Sequence, residues 1–204
     1  LSPRGEGRRV RNFLAIFRRE FGVYFVSPTA YIILTALLLV AGGYFYLDFR
    51  TQVEIRIPLT YTPTLQLITW LVVMICPLIT MRLLAEEKNK GTLEVLMTSP
   101  VTELQVVMGK YASAIVFLAF LLLPTMGYII LISQYGDVDW RAVMTGYAGV
   151  LLAGACIFSI GTFVSSLCQS QVTAGIVTLL ISFSLLLMMF FADRIPQDSV
   201  WKAI

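Results

Sequence analysis

The chain has 204 residues, of which 58% are apolar and 13% charged, against about 45–50% and about 25% in soluble domains. A water-soluble fold of this size could neither bury that much apolar surface nor cover what remained, so soluble classes are excluded. The net charge of +3 is too small for a nucleic-acid partner, and the lack of histidine removes His-based triads, His proton relays and His-ligated metals, so no catalytic residue and no metal site is read.

Uncharged runs cover Phe21–Leu47, Ile57–Met81, Tyr111–Gly136 and Ala142–Ala192. About 20 residues of helix cross the ~30 Å hydrocarbon layer. The expected fold is therefore all-α, a polytopic helical membrane protein forming a single transmembrane domain over 1–204.

In chain order, the first predicted element is a helix over 10–26. Val10, Phe13, Leu14, Phe17, Phe21 and Tyr24 recur at three-and-four spacing, while Arg11, Arg18 and Arg19 fall off that face. Such a helix rests in the headgroup plane, aromatics in the acyl boundary and arginines among lipid phosphates. The same pattern also fits a plain juxtamembrane anchor whose arginines only set topology. Ser27-Pro28 marks a break, because the residue before proline disfavours helix.

The first span is read as Tyr31–Leu47, closed by Asp48, and the second as Leu65–Met81, entered at Thr62-Pro63 and closed by Arg82. The third runs over Tyr111–Ser133. The last uncharged run would be ~77 Å long as one helix, so it must fold back. Its most polar point, Cys168-Gln169-Ser170-Gln171, predicts a turn between a fourth span, Val143–Leu167, and a fifth, Val172–Ala192. Asp193–Ile204 is too short and too charged for another, which leaves either five crossings or a sixth beyond the end of the sequence. Cys76, Cys156 and Cys168 lie far apart in or beside apolar runs and read as packing residues.

Ten of the fifteen Lys and Arg residues fall before the first span or between spans two and three. The positive-inside rule makes that side cytoplasmic, with the N-terminus inside.

The longest cytoplasmic connection, 82–110, reads as three short pieces. Arg82–Lys90 extends the second span, with Glu86 and Lys90 placed i,i+4 to pair. Gly91 ends that helix and Thr92 caps a new one, in which Leu93, Leu96 and Met97 share a face. Ser99-Pro100 starts the third piece. A capped helix with an apolar face and an acidic back is more than a connection needs, and that face wants a protein surface.

Arg82, Glu86-Glu87, Gly91-Thr92-Leu93-Glu94, Leu96, Ser99-Pro100 and Gly109-Lys110 closely resemble the signature after the second span of ABC-2-type transporter permeases. Ser27-Pro28-x-x-Tyr31 and Ser159-Ile160-Gly161 … Ser165 … Leu167 … Gln171 look like the same family, most of all its gliding-motility-associated branch. The resemblance implies a type V-like transmembrane domain with an N-terminal interfacial helix (Phe13, Leu14, Phe17, Arg18, Arg19 and Phe21 here) and six spans, of which five are present. It also implies a coupling region, Glu86 to Thr98, that docks on an ATP-binding cassette subunit, with ATP and Mg bound by that partner. A second permease domain, a copy or a paralogue, and a location in the cell (inner) membrane are expected with it, and export is the expected direction.

The chain has no GxxxxGK[ST] loop of its own. No Asp, Glu, Lys or Arg lies inside the five assigned spans, whereas ion-coupled carriers usually need intramembrane charges. Both features fit a permease subunit that is not itself an enzyme. The alternatives are a secondary carrier or channel built on helices broken at Pro77 and Pro124, or a membrane scaffold that moves nothing. Gly149 with Ala153, and Ala155 with Ser159, can let helices approach closely, between two permease domains or within one bundle. Pro77 and Pro124 are either hinges or static bends.

Overall fold

The computed structural model describes residues 3–81, 103–136, 138–168 and 170–192. They form helices Pro3–Val26 (α1), Pro28–Ile55 (α2), Thr62–Thr80 (α3) and Glu103–Leu122 (α4), a 3₁₀ turn Leu123–Thr125, then Met126–Ser133 (α5), Trp140–Leu167 (α6) and Gln171–Ala192 (α7). No strand occurs among the described residues. With α4 and α5 counted as one, five of these helices are long and apolar enough to cross a membrane. The chain is an all-helical, multi-pass membrane protein.

Each boundary has a local cause. Ser27 is extended (φ −77°, ψ 124°), which puts Pro28 in the first turn of α2, where its missing N–H costs nothing. Asp48 does not close the first span, because α2 runs two turns further to Ile55. The Asp48 carboxylate accepts from Gln52 Nε2 at 2.7 Å, and Arg50 pairs with Glu54 at 2.8 Å, so the polar turns are held by i,i+4 contacts. The helix stops at Arg56, a non-glycine residue in the left-handed region (φ 58°), whose N–H reaches back to the carbonyls of Gln52 and Val53.

α6 starts three residues before Val143. Asp139 caps it, its Oδ1 accepting from the N–H of Arg141 at 3.0 Å and of Ala142 at 3.3 Å. It ends at Leu167, and α7 begins at Gln171, so the last apolar run does fold back at its most polar point.

The core centres on α3, which packs against α2, α6 and α7. The contact with α6 is a seam of glycines. A Cβ added to Gly146 would lie 2.6 Å from Leu65, one at Gly154 would overlap Leu118 and sit 3.5 Å from Val72, and one at Gly161 would overlap Thr80. Leu65, Val72 and Thr80 therefore fall in order against Gly146, Gly154 and Gly161, so α3 and α6 run in the same direction. Spans two and four of an alternating bundle must do so.

Candidate functional site

The residues with the most specific expected role fall on the segment between α3 and α4. Arg82, Glu86, Glu87, Gly91, Thr92, Leu93, Glu94, Leu96 and Met97 all lie outside the described residues. Around the two ends of that segment the structure is defined. Met81, which follows α3, packs at Gly175 of α7, 3.2 Å from where a Cβ would stand, and Gly109 of α4 packs against Ile16 of α1. The start of α7 thus touches the residue after α3, and α1 touches the first turns of α4.

α1 starts earlier than expected, and its second half is packed rather than lying free. Ile16 meets Gly109, Glu20 meets Lys110, the Tyr24 ring stacks on Phe117 (centroids 4.5 Å), and Phe25 meets Phe120 (4.8 Å). Contacts advance together along both helices, so from Ile16 to Phe25 α1 runs with α4 rather than across it. A helix lying flat under a bundle would meet the third span at one place only. Of the six residues read as its surface-lying site, Leu14, Arg18 and Arg19 are exposed, while Phe13, Phe17 and Phe21 are half-buried.

Sequence reasoning missed the polar centre of this contact. Lys110 Nζ lies 3.1 Å from Glu20 Oε2, with the two side chains only 4% and 15% exposed. A basic residue therefore does stand within a helix of membrane length, Leu104–Ser133. The helix continues through it because α1 supplies the counter-charge. One turn on, Ser113 donates to the Lys110 carbonyl at 2.7 Å and its side chain also bonds Tyr24. Burial, and next the charge of Glu20, hold the Tyr24 hydroxyl well above its usual range against that bond, so it stays protonated. The only sequence signal was the single acid, Glu20, in the otherwise basic and aromatic stretch from Gly7 to Val26.

A second polar cluster sits where α4 gives way to α5. Pro124 has no N–H to donate, and the backbone tightens to a 3₁₀ turn over Leu123–Thr125. Tyr61 donates to the Thr125 carbonyl at 3.3 Å, the Tyr61 and Tyr147 hydroxyls lie 3.1 Å apart, and Thr125 Oγ1 lies 2.8 Å from the Tyr147 hydroxyl. At the break, α3's cap residue thus meets the Thr125 carbonyl, the Thr125 hydroxyl itself donates to the Leu122 carbonyl at 2.6 Å, and α6 joins through side-chain hydroxyls alone. Past it, Tyr128 donates to the Leu38 carbonyl at 3.0 Å, against Gly42 of α2. By contrast, Pro77 leaves α3 unbroken to Thr80, and Met81 N–H still reaches its carbonyl at 3.0 Å.

Other side chains tie neighbouring elements. Gln52, buried at the far end of α2, grips the backbone of Thr60 through both N–H (2.7 Å) and carbonyl (3.1 Å). Ala155 and Ser159 both engage Tyr111 of α4, through the Ala155 carbonyl at 3.1 Å and Ser159 Oγ at 3.2 Å, which makes that pair an internal contact. Gly149 faces open space. Within α6 the glycines that permit close packing are Gly146, Gly154 and Gly161.

With this geometry in view, comparison with family models gives a match over residues 14–198 to one described as ABC-2 family transporter protein. Comparison with curated proteins gives no match.

Proposed function

This chain belongs to the ABC-2 transporter family, and from that premise we propose that it is the membrane-spanning permease subunit of an ABC transporter, driven by ATP hydrolysis on a separate ATP-binding cassette subunit. The observation that carries the proposal is the match over 14–198 in a chain with five helices of membrane length. In this reading ATP and Mg sit on the partner, and the chain itself is not an enzyme. The partner docks on the segment from Arg82 to Met97, with Leu93, Leu96 and Met97 as the apolar face. The surplus of basic residues around α1 and that segment supports a cytoplasmic N-terminus in the cell (inner) membrane.

A second permease domain, a copy or a paralogue, completes the pathway, and export is the direction the family resemblance favours. Ser27-Pro28-x-x-Tyr31 and the Ser159–Gln171 run support a place nearest the gliding-motility-associated branch, which names kinship and not motility. Closure of the ATPase pair presses on the docking face and rocks the bundle between inward- and outward-open states. Replacing Leu93 and Leu96 with Asp is expected to abolish co-purification of the ATPase while the chain stays in the membrane. Undiminished co-purification would overturn the docking assignment.

A further inference from the structure

The interface between α1 and α4 is mostly aromatic. Phe13, Phe17, Phe21 and Phe25 repeat every fourth residue along α1, neighbouring ring centroids lying 4.9–6.5 Å apart. Phe117 and Phe120 receive the end of that row, together with Tyr24. A row that repeats once per turn is nearly unchanged when the helix slides by one turn, because each ring takes its neighbour's place. Apolar burial is non-directional and cannot choose between such registers.

The ion pair can choose. Glu20 is the only acid between Gly7 and Val26, and Lys110 the only base between Glu103 and Ser133. A one-turn slide moves Glu20 about 5–6 Å along α4, parting a mostly covered carboxylate from a buried ammonium in an aromatic setting. A buried pair is a poor source of net stability, since an apolar replacement often does as well, and fixing register is its best-attested use. The Gly109 notch works in the same sense, since it admits Ile16, whereas a slide brings position 12 or position 20 over it.

We infer that the Glu20–Lys110 pair is a register lock which, with the Gly109 notch, selects one seating of α1 on the inner half of the third span among the turn-spaced ones that the phenylalanine row alone would allow. The pair does not hold the helices together, because the rings do that. It decides where they sit.

Cysteine cross-linking of the full chain in its membrane tests this, with Cys76, Cys156 and Cys168 replaced. A Cβ on Gly109 stands 3.3 Å from that of Ile16, near the ~3.5–4.5 Å of a disulfide. With the pair intact, Ile16→Cys with Gly109→Cys is expected to cross-link, and Asn12→Cys with Gly109→Cys to stay at background. Glu20→Gln or Lys110→Met should let the second pair cross-link as well, and the exchanged pair Glu20→Lys with Lys110→Glu should restore the first alone. A buried charge that has lost its counter-charge on the facing helix can itself disrupt an interface, so where a single variant loses both cross-links, the double variant E20Q/K110M decides. Both cross-links in that variant support the lock. An unchanged single cross-link, loss of both, or failure of the exchange to restore one register would overturn it.

Discussion

A methyl group on Gly161 would collide with Oγ1, Cβ and Cγ2 of Thr80, a β-branched side chain that is itself fully buried. Thr80 has little rotamer freedom to give way. At Gly154 the obstacle is the flexible end of Leu118. Gly161→Ala is therefore expected to destabilise the fold by about 2–3 kcal/mol and Gly154→Ala by about 1 kcal/mol, while Gly149→Ala, whose methyl meets nothing among the described residues, should be silent. Thermal unfolding in detergent checks the order. Polar groups divide in the same way. Thr64 Oγ1 is buried with no partner among the described residues, so Thr64→Val is expected to be neutral or stabilising by up to ~1 kcal/mol. Tyr147→Phe strips hydroxyl contacts from both Tyr61 and Thr125 and should cost about 1 kcal/mol. None of these distinctions was legible beforehand. Gly149 and Gly146 lie three residues apart and look alike in sequence, and only the neighbouring helix separates them.

Among the elements, α1 and the third span carry the most information. Their existence was legible, since long apolar runs and a three-and-four aromatic pattern are local properties. Their relation was not, because Glu20 and Lys110 are ninety positions apart and each alone looks like an ordinary boundary charge. The same limit explains Asp48, which reads as the end of a span until Gln52 is seen bonding it. α1 covers Phe117 and Lys110, both nearly inaccessible in the fold. Removing residues 3–26 should accordingly lower the unfolding temperature more than Glu20→Gln does, because it uncovers the rings as well as the charge. Pro124 behaves as a held bend. Three hydroxyls from three elements fill the space around it, so Pro124→Ala is expected to change stability by less than Tyr147→Phe, measured in the same unfolding series.

For the whole molecule, the spans could be read from apolar length and the turn before Gln171 from the most polar point of the last run, whereas the loop expected to meet an ATPase lies outside the described residues. Sidedness is testable directly. In a cysteine-free background, Glu54→Cys and Tyr135→Cys are expected to react with an impermeant maleimide added to intact cells, and Arg18→Cys only after permeabilisation. The reverse pattern would invert the proposed topology. The parallel seating of α3 on α6 also has a consequence for biosynthesis. Leu65, Val72 and Thr80 meet glycines that the ribosome adds some eighty codons later, at about 5–20 residues per second. The second segment to enter the bilayer must then wait on the order of 4–16 s for its partner. During that interval lipid, an insertase or a neighbouring nascent helix has to occupy the groove, and an early wrong tenant there would be the expected route to misassembly.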